Sequence, residues 1–160
     1  MARLTLAGVS RLLAPLVIAL APACTLVEPE TGEPLAACVD GDSNPSVKVS
    51  FANDIRPLID GRVPGPRPCA DCHYLTRGTH QGADESGLKL ATLAALRKGG
   101  NRTFDDIIVK GSPCKSAIIR KIRGTYGDAR MPKGGPYWSP AQIQLFMDWI
   151  AEGAEGDGTE

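Results

Sequence analysis

Histidine and aromatic residues are what this chain has least of. Of 160 residues, two are His (His73 and His80) and only 5% are Phe, Trp or Tyr. A small domain with so few rings gains from a large apolar cofactor, which supplies buried surface that the side chains lack. Net charge is missing too, because 18 Lys and Arg balance 18 Asp and Glu. That balance leaves no basic footprint and excludes nucleic acid as an expected partner. The longest apolar run, near the N-terminus, is too short for a permanent membrane-spanning helix. No internal repeat, nucleophile–base pair, carboxylate pair or phosphate-cradling loop is legible, so no independent catalytic site is expected, and the chain does not read as an enzyme in its own right. Glycine and proline are plentiful, at 18 and 13 residues, which predicts long loops around a modest core.

Against these absences stands Cys69-Ala70-Asp71-Cys72-His73. Two thiols separated by two residues and followed at once by a histidine form the attachment sequence of a c-type haem. Each thiol adds across one vinyl group of the porphyrin, and two residues in a tight helical turn span the gap between the vinyls. The next residue then presents its imidazole to the iron as proximal ligand. A redox CxxC should follow a buried strand, but Gly61 to Pro68 reads GRVPGPRP and cannot form one. A zinc site from Cys69, Cys72, His73 and His80 lacks a second well-spaced ligand pair. With no second CxxCH, the reading is one covalent haem c with its iron.

The first residues read as an export signal. Arg3 and Arg11 precede the apolar run Leu12–Leu20, and Ala21-Pro22-Ala23 supplies small residues for cleavage. Leu20-Ala21-Pro22-Ala23-Cys24 is similar to a bacterial lipoprotein signal, although its Leu stands four places before the Cys rather than three. Residues 1–23 are therefore expected as a signal peptide. Cys24 is expected as an acylated membrane anchor, with a soluble periplasmic protein as the alternative. Either route places the mature domain in the periplasm or cell envelope. With Cys24, Cys69 and Cys72 assigned, Cys38 and Cys114 remain, and in an oxidising compartment they suggest a disulfide.

Residues 24–50 are acidic and rich in Pro and Gly, without apolar periodicity, and read as a flexible tether. Val47-Lys48-Val49 suggests a short strand. Phe51, Ile55, Leu58 and Ile59 then mark one face of a helix. Pro57 is tolerated there if Asn53 or Asp54 is the N-cap, and should force a kink if the helix begins at Phe51. Thr76 to Gly82 reads as a loop. Leu93 and Leu96 mark a short helix stopped by Gly99-Gly100, and Ile118, Ile119 and Ile122 mark another. The last helix has the fullest signature: Ser139 as N-cap, Pro140 at N1 and Gln142 closing a capping box. Ile143, Phe146, Met147 and Ile150 follow on one face, and Gly153 ends it. Residues 51–154 are the expected domain, and 155–160 a disordered tail.

The far side of the iron has three candidate ligands. Met147 lies on an apolar helix face, where packing is the usual role. His80 follows His73 so closely that the chain would have to wrap quickly around the haem edge. Met131, in the Gly- and Pro-rich stretch before the last helix, suits a ligand held out from irregular backbone. A thioether there favours reduced iron and raises the potential.

The order of these elements resembles a class I cytochrome c. The middle goes further: Gly87-Leu88-Lys89-Leu90, Ala95–Gly100, Lys115–Ile122, Arg130-Met131-Pro132 and Trp149–Ala154 resemble the planctomycete-type cytochrome c domain, from about Phe51 to Ala154. The chain departs from that family at Asn101–Asp106, where another Gly-Pro pair is usual, and at Cys114, usually acidic. The resemblance implies an all-α domain, small and cytochrome c-like, wrapped around one haem with His73 and Met131 as axial ligands. The expected function is monohaem electron transfer with redox partner proteins of unknown identity. The rivals are a peroxide- or gas-reactive or sensory module with open or His80-ligated iron, and an accessory haem domain of a surface complex.

Overall fold

The computed structural model describes residues 37–158. The expected signal peptide 1–23, Cys24 and the tether up to residue 36 lie outside the described residues, as do 159–160. Every regular element described is helical, and no strand occurs among the described residues. The all-α expectation holds.

The chain first forms a wide π-type turn, Phe51–Ile55, which runs directly into α1 (Arg56–Asp60). Pro57 is the physical reason. It has no N–H to donate backward, and its ring would press on the carbonyl one turn before it. The backbone widens ahead of it instead, so that the Arg56 N–H reaches the Phe51 carbonyl. The N-cap is Ser50, not Asn53 or Asp54: its hydroxyl accepts from Asn53 N at 3.0 Å, while Ser50 N donates to Asp54 Oδ2 at 2.8 Å.

Next come α2 (Ala70–His73), α3 (Gln81–Ser86), α4 (Leu93–Lys98), a 3-10 turn (Phe104–Ile107), α5 (Ala117–Arg123) and α6 (Pro140–Ala151). Helix α4 starts at Thr92, whose hydroxyl accepts from Ala95 N, and stops at Gly99. Helix α6 carries the capping box read from the sequence, with Ser139 Oγ accepting from Gln142 N at 3.3 Å and Ser139 N donating to Gln142 Oε1 at 2.9 Å. Helix α3 falls partly where a loop was expected. Its single buried residue is Ala83, so no apolar stripe marks it.

The core forms where α6 crosses α5 and the N-terminal turn. Four rings run through it in sequence of contact: Phe51 to Trp149 at 5.2 Å, Trp149 to Phe146 at 5.4 Å and Phe146 to Trp138 at 5.6 Å between centroids. Edge and tilted geometries of this kind add to simple burial.

At both edges the domain holds more of the chain than expected, and the strand expectation is corrected. The tether does not run free to residue 50, because the chain is fastened from Cys38 onward. Cys38 is disulfide-bonded to Cys114, Asp40 Oδ1 accepts from Cys114 N at 2.8 Å, and Ser43 donates from both N and Oγ to the buried Asp148 carboxylate. Val47–Val49 makes no strand; Val49 N donates to the Glu152 carboxylate at 3.0 Å instead. At the other end, Trp149 Nε1 donates to the Glu155 carbonyl at 2.8 Å, and Asp157 accepts from Ala52 N at 2.6 Å. The expected tail is held to the domain at least to Asp157. No helix among the described residues is long and apolar enough to cross a membrane.

Candidate functional site

Cys69 to His73 form one helical turn. Cys72 N and His73 N donate to the Cys69 carbonyl at 3.2 and 2.9 Å, and Asp71 N donates to the Pro68 carbonyl at 3.3 Å. Residues three apart in such a turn are surface neighbours, so the two cysteines share a side. That side faces a cavity of about 450 Å³ whose walls include Cys69, Cys72, His73 and Met131. The volume lies in the range of about 300–1,000 Å³ usual for ligand sites.

His73 Nδ1 lies 2.9 Å from the Leu88 carbonyl oxygen. A carbonyl only accepts, so Nδ1 must carry the proton, which leaves the Nε2 lone pair for a metal. Burial holds the ring below its ordinary pKa of 6.5, partly opposed by the Leu88 hydrogen bond; both the tautomer and the neutral state suit an axial ligand. A further backbone bond, Leu90 N to the His73 carbonyl at 3.2 Å, ties the same strap to the turn.

The two thiols are not bonded to each other. Burial pushes the Cys69 thiol up to about 12, the opposite of the low value a redox CxxC needs. His80 is not brought to the cavity. It caps the start of α3 at φ 42°, and its Nδ1 pairs with Asp84 Oδ2 at 2.8 Å on the surface. Met147 is buried within the core on α6 and does not line the cavity. Met131 does, half-buried, with its N–H donating to the Lys121 carbonyl at 3.0 Å. Arg130 braces this loop, stacked 4.1 Å from the centre of the Tyr137 ring and donating from Nε to the Ile122 carbonyl.

Three features of the site escaped sequence reading. The Leu88 carbonyl is backbone and leaves no side-chain signature. Gly82 and Ser86 stand in the unmarked helix α3 and line the cavity. Trp138 also lines the cavity, and its Nε1 is buried without a hydrogen-bond partner. A buried donor with nothing to give its proton to is costly, so that wall is built for an acceptor. The cavity edge carries Arg67, Arg102, Lys121 and Lys133 against Glu85 and Asp128, and Lys121 is paired with Asp128. An apolar macrocycle with two propionate groups matches such walls: sulfurs and imidazole on one side, thioether on the wall, a buried donor and surplus cations for the carboxylates. The residues present fit haem.

A family model described as planctomycete cytochrome C matches residues 69–135. The match begins at the first cysteine of the attachment sequence and ends beyond Met131, so it spans all four expected haem-contacting residues. The resemblance read from the sequence therefore stands over this stretch, and with it a haem-binding domain of the electron-transfer type. No curated protein and no solved structure matches the chain.

Proposed function

We propose that this chain is a monohaem c-type cytochrome that carries electrons at the outer face of a bacterial membrane or in the periplasm. One observation supports the reading above all others. Cys69, Cys72, His73 and Met131 meet on one cavity, with His73 Nδ1 committed to Leu88 and Nε2 left for iron.

Haem c, when bound, supplies the reversible ferrous–ferric couple. Cys69 and Cys72 would hold it through thioether bonds, His73 and Met131 would ligate its iron, and the Leu88 carbonyl fixes the imidazole tautomer and raises its basicity. The buried walls around Ile107 and Trp138 would keep water from a bound haem and lower the local dielectric. With His73 and Met131 both ligating, transfer would be outer-sphere and would need no further catalytic group from the chain. Export by residues 1–23, acylation of Cys24 and docking to redox partner proteins complete the proposal.

The test is an optical spectrum of the protein exported alongside haem c maturation proteins, with haem staining after denaturation. Covalent haem, a low-spin spectrum and the weak methionine-to-ferric-iron charge-transfer band are expected. Met131→Ala should abolish that band and lower the midpoint potential. Covalent haem without the band in the native protein would give the open-iron rival the site. Absence of covalent haem would overturn the proposal.

A further inference from the structure

Gly82 is the starting point. It lies within α3 with ordinary helical backbone, where alanine is the better helix former, so conformation gives no reason for a glycine there. Space does. A side-chain carbon on Gly82 would stand 2.8 Å from His73 Nε2, 2.9 Å from its Cε1 and 3.0 Å from the Cys72 carbonyl oxygen. The bare backbone of α3 therefore flanks the iron-facing edge of the imidazole, while the Leu88 carbonyl holds Nδ1 on the other edge at 2.9 Å.

One side chain joins these two contacts. Ser86 Oγ donates to the Gly82 carbonyl at 2.5 Å and accepts from Leu88 N at 3.2 Å. The flank and the acceptor are thus parts of one piece. That piece is backed from behind: Asn101 N donates to the Ser86 carbonyl at 2.7 Å. Gly100 sits so close that a side-chain carbon there would lie 2.5 Å from the Ser86 carbonyl oxygen and 3.1 Å from Leu88 N.

We infer that Gly82, Ser86 and Leu88 form a clamp that sets the rotation of the His73 imidazole, with Ser86 as the positioning residue that joins its two jaws. The clamp rests on the proposed function, because ring rotation matters through the iron that His73 would bind. Ring angle and the strength of the Nδ1–H bond are second-shell levers on an axial histidine, and so on the potential.

The experiment compares the full exported holoprotein with Ser86→Ala, Ser86→Thr and Gly82→Ala by haem staining, ferric electron paramagnetic resonance and potentiometric titration. Ser86→Ala should retain covalent haem, with altered low-spin g-values and a raised midpoint potential, because a looser Leu88 contact makes His73 a weaker donor to ferric iron. Ser86→Thr keeps the hydroxyl and should restore native values. Gly82→Ala should shift the g-values further or add a high-spin fraction. Should Gly82→Ala fail to mature, the Ser86 pair decides the matter. Native g-values and midpoint in Ser86→Ala, whatever its melting temperature, would overturn the clamp alone. A native protein without covalent haem would overturn the function and the clamp together.

Discussion

Trp138 and Trp149 sit one aromatic neighbour apart, yet their indole N–H groups are treated differently. Trp149 Nε1 donates to the Glu155 carbonyl, whereas Trp138 Nε1 is buried at the cavity with no protein acceptor. A charge-assisted bond from this donor to a haem carboxylate would be worth about 1.5–3 kcal/mol. Trp138→Phe, which keeps the ring packing, is therefore expected to lower holoprotein stability by about that amount in chemical denaturation while haem attachment persists. Unchanged stability would show that the donor has no such acceptor. At this scale, with Met131 one of three candidate ligands beside His80 and Met147, Cys69, Cys72 and His73 were readable as a candidate haem turn because their chemistry is carried by side chains at fixed spacing. The Leu88 carbonyl and Gly82 were not: a backbone acceptor and a missing side chain act only through where the fold places them.

Among the elements, α6 and α3 are the extremes. Helix α6 announces itself with a cap, an N1 proline, a capping box and a full apolar face, and all of these are present. Ser139→Ala should cost about 1 kcal/mol of stability, readable as a lowered denaturation midpoint. Helix α3 has neither cap bond nor apolar stripe, with His80 at its start in a left-handed conformation and one buried alanine. It exists because α2 gives it a surface to lie on, with Gly82 against His73 and Cys72, a tertiary cause that no local pattern encodes. The N-terminal helix falls between these cases. Its apolar face was legible, but Pro57 acted by widening the preceding turn rather than by setting the start point.

At the scale of the whole domain, the decisive feature is how the two ends of the described residues are fastened. The Cys38–Cys114 disulfide closes a 76-residue separation, which restricts the unfolded chain, and removing such a bond costs about 2–5 kcal/mol. The double variant Cys38→Ser, Cys114→Ser should show that loss in chemical denaturation. It should also free the 38–50 segment to early proteolysis. At the other end, the Lys110 ammonium 2.6 Å from the Glu155 carboxylate, with Arg97 adding, holds that carboxyl below its ordinary value near 4.5. A carboxyl depressed in the folded state stabilises it fully above pH 4.5, and the benefit fades as pH falls through the lowered value. Lys110→Met should therefore flatten the acid-side fall of the melting temperature below pH 4.5. An unchanged acid limb would show that the pair contributes nothing.

The amino-acid sequence was enough to settle the helical class and the capped last helix, and it marked the CxxCH turn and Cys38 with Cys114 as candidates without showing that the two cysteines bond. Each rests on short-range covalent or hydrogen-bond geometry between residues a few places apart, or on simple elimination among five cysteines. Only the folded chain decided that Met131 shares a cavity with His73 while His80 and Met147 do not. It also decided that a stretch composed like a tether is strapped to the domain by Ser43, Asp40 and Val49. Those outcomes depend on contacts across tens of residues, where an acidic side chain or a glycine has no local preference and takes its role from whatever backbone arrives beside it.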